Sequence, residues 1–217
     1  MRQLHIVTAL AVLSVSGSAA LAQDQSPYSV GLGLTTLGPT VEGSYQATPE
    51  LAFRGIIAVP VEGDGSETED GTDYDYEYET GGFGVVADYY PGVGGLRLTG
   101  GLFKSNMGLD LDASASGADT IRIGNTTYAN VSVGGDMEFE REFAPMLAVG
   151  YSGMVGGWQL SGEVGALFVQ GVDASLEQTG GALPISESDL EDEEDKLEDD
   201  YGINAYPYVG ISMPYRF

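Results

Sequence analysis

The sequence has no cysteine among its 217 residues and a single histidine, His5. Without cysteine the chain forms no disulfide scaffold, no thiolate metal site and no thiol nucleophile. His5 lies in an amino-terminal segment that we expect to be removed, so the rest of the chain has no imidazole base. Small hydrolases generally depend on such a base. We therefore predict that the protein is not an enzyme.

Basic residues are also scarce, since eight Lys and Arg stand against 33 Asp and Glu and give a formal charge of −25. Nucleic-acid binding needs clustered Lys and Arg that neutralise phosphates. We therefore expect no nucleic-acid partner.

Long apolar runs are missing as well. The apolar stretch from Ile6 to Val15 is too short to span a bilayer as a helix, and no later segment is longer. Because it follows Arg2 and precedes Ala20-x-Ala22, it predicts a secretory signal peptide over residues 1–22. Cleavage would leave residues 23–217 as one domain with 33 acidic and seven basic residues. If that domain spans a membrane, it must do so with strands.

A two-residue period is what the sequence does contain, and it is clearest at the carboxyl terminus. Val209, Ile211, Met213, Tyr215 and Phe217 alternate with small or polar residues. In a strand this period places the apolar set on one face. The segment is similar to the last strand of a bacterial outer-membrane barrel, which implies that Tyr215 and Phe217 form an assembly signal for the barrel-assembly machinery.

Seven earlier segments show the same alternation, at 28–35, 41–46, 51–59, 82–89, 96–103, 143–151 and 158–168. The connections at 48–50, 91–95 and 153–157 are short, whereas those at 62–79, 104–142 and 171–204 are long. Outer-membrane barrels have short periplasmic turns and long extracellular loops. The sequence therefore predicts an all-β fold, an eight-stranded antiparallel up-and-down transmembrane β-barrel with long acidic extracellular loops. A soluble β-sandwich is the alternative.

Aromatic residues support the membrane interpretation because they fall at the predicted periplasmic strand ends, where an interfacial girdle belongs. They are Tyr28, Tyr45, Phe53, Tyr89, Tyr151, Trp158, Tyr215 and Phe217.

Two of the long connections hold 21 of the 33 acidic residues, nine in 62–79 and twelve in 173–201. We expect them to be solvated. Tyr74, Tyr76 and Tyr78 predict an extension of the flanking strands, and short strand-like pieces at 109–111 and 121–123 predict a hairpin beyond the membrane. The run 187–201 predicts a marginal helix capped by Ser186 or Ser188, with Leu190, Leu197 and Tyr201 on one face. We expect no cofactor; weak surface binding of Ca²⁺ or Mg²⁺ is an alternative to charge for solubility.

Several pieces of the chain resemble an uncharacterised family of small proteobacterial outer-membrane β-barrel proteins. They are the segments 84–91, 95–102 and 123–128, the acidic run before the last strand, and Tyr215-Arg216-Phe217. The resemblance implies an OmpA-like or OmpX-like barrel. It brings no known activity or site residues.

Charged residues on the inward parity are the candidate site, namely Glu42, Arg54, Asp88, Arg97, Glu163 and Arg216. Charges inside so narrow a barrel need partners. They predict an ion-pair network that fills a polar lumen, or a gate in a narrow pore. We therefore expect a monomeric outer-membrane protein with a structural or surface-interaction role and a plugged lumen, in contact with lipid and lipopolysaccharide. The alternative is a porin-like narrow channel for small solutes or cations.

Overall fold

The computed structural model describes residues 26–69, 72–155, 158–181 and 183–217. The predicted signal peptide, 1–22, lies outside these residues. The described part contains eleven strands and one helix: β1 (Tyr28–Thr35), β2 (Gly38–Thr48), β3 (Leu51–Glu69), β4 (Thr72–Tyr89), β5 (Leu96–Ser105), β6 (Gly108–Ile123), β7 (Thr126–Phe139), β8 (Phe143–Val155), β9 (Trp158–Leu167), β10 (Val172–Gly181), α1 (Glu187–Tyr201) and β11 (Tyr206–Arg216).

Eight of the strands close into a barrel. The sheet runs β4-β3-β2-β1-β11-β9-β8-β5, and β5 pairs back with β4. All pairings are antiparallel, and the first and last barrel strands meet with Leu32 opposite Met213. Along the chain each barrel strand neighbours the next one, so the topology is up-and-down. The predicted eight-stranded barrel is confirmed, and a single closed sheet excludes the sandwich.

Alternating burial along the barrel strands follows from the pleat. On β3, Ile56 is 1% exposed and its neighbour Ile57 is 58% exposed. The inward-facing side chains fill the interior, and the outward-facing side chains form an exposed apolar surface around the barrel. The aromatic residues predicted to form a girdle are exposed on this outer surface.

An extension sheet continues beyond one end of the barrel. It consists of 61–69 of β3, 72–80 of β4, and the strands β6, β7 and β10. The Tyr74, Tyr76 and Tyr78 segment extends β4 as predicted, and both strand-like pieces lie in β6. The structure differs from the prediction at β10, which lies within the predicted loop 171–204. Its sequence, VDASLEQTGG, does not indicate a strand because it contains few β-branched residues and ends in two glycines.

The predicted helix is present as α1 and packs on β10 and β6. Ser186 occupies the N-cap position, but its side chain makes no capping hydrogen bond and instead contacts the Ser188 hydroxyl at 2.8 Å. Leu190 and Leu197 are half-buried, whereas Tyr201 is exposed. Among the described residues, no helix has both the length and the apolar character needed to cross a membrane.

Candidate functional site

Arg54 is the centre of a buried charged cluster in the barrel. Its Nε lies 2.9 Å from Asp88 Oδ2, and its Nη1 and Nη2 donate to the two carboxylate oxygens of Glu163 at 2.9 and 2.8 Å. Glu42 Oε2 is 3.3 Å from Nη1. The guanidinium group therefore uses its planar fork on two carboxylates, Asp88 on the neighbouring strand and Glu163 on the opposite side of the barrel, a geometry that lysine cannot reproduce.

Arg97 is the second basic residue of the cluster. Its Nη2 donates to Glu163 Oε2 at 2.7 Å, and its Nε lies 3.6 Å from Asp88 Oδ1. Arg97, Gly150 and Glu163 are in register on β5, β8 and β9. A Cβ atom at position 150 would lie 3.1 Å from Arg97 Nε and Nη2. A glycine between the two strands thus leaves the space through which Arg97 reaches Glu163.

Two neutral side chains complete the cluster. Thr99 donates to Asp88 Oδ1 at 2.7 Å, and Tyr208 donates to Glu163 Oε1 at 3.2 Å. The sequence reasoning considered charged residues only and did not include these two. Register would have identified Thr99, since it pairs directly with Asp88. Parity would have identified Tyr208, which is fully buried because it alternates with the outward-facing Val209 on the same strand.

Five of the six predicted charges form this cluster, which we call the ionic layer: Glu42, Arg54, Asp88, Arg97 and Glu163, each 1–7% exposed. Arg216 is exposed near the carboxyl end of β11. It lines a cavity of about 40 Å³ that adjoins the ionic layer at the end of the barrel away from the extension sheet. Serine and glutamine side chains line most of the remaining wall. Tyr215 and Phe217, the predicted assembly residues, are both 62% exposed on the outer surface.

The other half of the lumen is apolar. A cluster of inward side chains fills it on the side of the extension sheet, and we call it the apolar layer: Leu37, Ile56, Ala58, Val86, Phe103, Ala144, Met146, Ala148, Leu167, Val169 and Tyr208. Leu37, Met146, Leu167 and Val169 are 0% exposed. Ile56, which interrupts the polar inward pattern in the sequence, belongs to this layer. The expectation of a polar lumen is therefore wrong for this half.

The chemistry of the ionic layer is that of a paired structural network, in which Arg97 Nε is buried and has no hydrogen-bond partner among the described residues. Three carboxylates face two guanidinium groups with a tyrosine and a threonine hydroxyl between them. Buried charges of this kind are stable when they are paired and hydrogen-bonded. Within the part of the chain that the structure describes, no group of three or more acidic residues is arranged to hold a metal ion.

The fold and the filled interior define a closed eight-stranded antiparallel β-barrel with side chains across its lumen. The chain is similar to two solved structures, those of Acinetobacter baumannii CarO2 and CarO, with TM-scores of 0.59 and 0.55. Each is 20% identical, and each alignment covers 90% of this chain and 100% of the other. Both are outer-membrane β-barrel proteins. At this identity the likeness shows the fold. No protein-family model matches the sequence, and no curated protein matches it.

Proposed function

We propose that this protein is a bacterial outer-membrane β-barrel with a plugged lumen and a structural or surface-interaction role. The observation on which the proposal rests is the filled interior. An eight-stranded barrel is just wide enough for side chains to fill. Here the ionic layer and the apolar layer lie in series along the axis. An ion crossing it would have to break paired charges and then enter a hydrocarbon-like zone.

Placement in a membrane is supported by the outer surface of the barrel. Leu32, Ile57, Val85 and Leu147 are each at least 58% exposed on different strands. A continuous apolar surface of this kind marks an interaction with another protein or a lipid phase. The sequence of the amino terminus, the structural neighbours and the exposed aromatic residues at the strand ends favour the outer membrane.

The proposal includes the partners expected of such a barrel and no catalytic chemistry. Outer-membrane lipid and lipopolysaccharide would surround a monomer, and Tyr215 and Phe217 would serve recognition by the assembly machinery. Their exposure on the outer face of β11 is compatible with that role.

A narrow channel is the alternative, and one observation favours it. The cavity below the ionic layer has polar walls, with Glu42, Asp88 and Arg97 at its inner end. A conducting state would require the apolar layer to open. In that case the carboxylates would select cations.

Single-channel conductance of the refolded protein in a planar bilayer separates the two functions, after a heat-dependent gel shift has shown that the barrel is folded. We expect no discrete current steps from wild type. Cation-selective steps that fall in Glu163→Gln and persist in Glu177→Gln would contradict the plugged lumen. Glu177 is the matched control because it is an exposed carboxylate on β10 of the extension sheet and is not part of the ionic layer.

A further inference from the structure

The extension sheet has an open edge at β10. On one side β10 pairs with β7 from Val172 to Gly181, and on the other side no strand of the described chain follows. An open edge presents unpaired amide and carbonyl groups to any extended chain nearby. The barrel has no such edge because its sheet is closed.

Carboxylates of α1 occupy this edge. Glu194 Oε1 accepts from the Leu176 amide at 2.6 Å, and Glu198 Oε1 accepts from the Ala174 amide at 3.2 Å. Four residues rise about 6 Å along a helix, and two residues rise about 6.8 Å along a strand. The two spacings match, so the carboxylates stand where the carbonyl groups of an added strand would stand.

Apart from these two edge contacts, α1 is held mainly by polar contacts with Tyr128 and with the β6–β7 turn, where Glu193 and Lys196 bind Gly124. None of the residues of α1, all of which the structure describes, is buried, and its main apolar contact is Leu190. The helix has ten acidic residues and one lysine, and its last turn has no basic residue. Repulsion between these charges and an unfavourable macrodipole at the carboxyl end weaken the helix itself. A competing strand therefore has to replace only the two edge contacts of Glu194 and Glu198, while the contacts at the β6–β7 turn can still hold α1.

The residues around the edge indicate which side chains a partner strand would have. On one face of β10, Asp173 lies directly opposite Glu138, and both are exposed. Like charges opposite each other destabilise a sheet, and a neighbouring cation would relieve the repulsion. On the other face, Ala174 is buried and Leu176 is half-buried. A second copy of this chain would bring more carboxylates to the same place, so it does not fit.

We propose that the edge of β10 is a docking site for an extended peptide segment that alternates basic and apolar side chains. The segment binds by strand addition, and α1 occupies the edge until it is displaced. The basic side chains of the segment lie on the face that carries Asp173 and Glu138, and its apolar side chains lie beside Ala174 and Leu176 on the other face. The inference deepens the proposed surface-interaction role and depends on it, but not on whether the lumen conducts.

The test uses the refolded full domain in detergent and a fluorescent heptapeptide of alternating lysine and valine. Binding is measured by anisotropy for wild type, Glu194→Ala/Glu198→Ala and Asp195→Ala/Asp199→Ala. The second pair is the matched control, because it has the same spacing and charge change on the same helix and its side chains are exposed. Hydrogen exchange at the Ala174 and Leu176 amides reports whether the edge is open.

We expect Glu194→Ala/Glu198→Ala to expose both amides and to bind the peptide about tenfold more tightly than wild type, as the loss of competing charged hydrogen bonds implies. The control pair should do neither. A peptide N-methylated at alternate amides should bind poorly, since it keeps its charge but cannot add as a strand. Equal affinity of both variants, equal binding of the methylated peptide, or an open edge that binds nothing would overturn the proposal. Each of these results leaves the conductance test unaffected.

Discussion

The barrel and the extension sheet share two strands, β3 and β4, yet they satisfy their backbone groups in opposite ways. In the barrel every strand has two neighbours, and the sheet closes on itself. In the extension sheet β10 has a strand on one side and the side chains of a helix on the other. A closed sheet leaves no backbone group for a partner, whereas an open one retains a place to bind.

The carboxylates of the two regions differ in the same way. Asp88 and Glu163 in the barrel are buried and bind guanidinium groups. Glu194 and Glu198 on α1 are partly exposed and bind backbone amides. Removing a partner should therefore be costly in the barrel, where water does not replace it, and mild in the extension sheet, where it does.

The largest effect is expected from Arg54→Met. The variant leaves Glu163 and Asp88 buried without the Arg54 guanidinium. Breaking a buried ion pair in this way lowers the free energy of unfolding by about 3–5 kcal/mol. Urea unfolding in lipid vesicles, followed by the gel shift, measures the loss. Arg122→Met makes the same change at an exposed position of β6 and should shift the midpoint little. Similar losses in both variants would remove the distinction between the two regions.

A smaller effect is expected from Tyr208→Phe. The ring stays in the apolar layer, and only the hydroxyl that donates to Glu163 is lost. A hydrogen bond to a charged group contributes about 1.5–3 kcal/mol. Tyr74→Phe, at an exposed position on the extension sheet, is the control and should be neutral in the same unfolding assay. A neutral Tyr208→Phe would mean that Arg54 and Arg97 alone satisfy Glu163.

Leu190→Ala should loosen α1 and leave the barrel intact. Leu190 is half-buried against an apolar cluster of the extension sheet that includes Ile121 and Val131, so its truncation costs roughly 1 kcal/mol of docking. Hydrogen exchange of the Leu176 amide should accelerate while the unfolding midpoint of the barrel stays unchanged. Leu183→Ala, at a 70% exposed position before α1, is the control. Faster exchange accompanied by a lower unfolding midpoint of the barrel would show that the two regions unfold as one unit.

The barrel was predictable because its signal is local: each strand shows period two, and one parity is apolar. The same rule identified the inward charges, but it could not identify their partners. Partners depend on register across strands that are distant in sequence, such as Arg54 and Glu163. The apolar layer was missed for a related reason, because Ile56, Val86 and Phe103 are meaningful only once they are seen to meet at one level.

The extension sheet was less predictable because its strands form through contacts with neighbouring elements more than through their own sequence pattern. β10 has weak intrinsic β-propensity and forms because β7 pairs with it and α1 binds its edge. The helix was predictable from its acidic run and its cap position. Its docking was not, since it depends on carboxylate contacts with backbone amides that no sequence pattern specifies.

The smallest expected effect concerns the amino-terminal half of α1. The Tyr128 hydroxyl donates to Asp189 and also accepts from the Ser186 amide at 3.2 Å. Chiefly through this hydrogen bond, and less through Thr126, the pKa of Asp189 lies below its ordinary value of 3.8. A lowered pKa means that this contact stabilises docking above the ordinary value and is lost as the pH falls through the lower, folded value.

Tyr128→Phe should therefore raise the pKa of Asp189 towards 3.8, so that the contact is lost at a higher pH than in wild type. A carboxyl NMR titration of Asp189 measures the shift, and Tyr76→Phe on the same sheet should leave it unchanged. If Tyr128→Phe also left it unchanged, the helix would owe its position at this end to Glu193, which accepts from the Gly124 amide at 2.8 Å, and to Lys196, which donates to the Gly124 carbonyl at 2.6 Å. The contacts of α1 with the β6–β7 turn would then hold the helix on the sheet, while the edge contacts of Glu194 and Glu198 remained free to exchange.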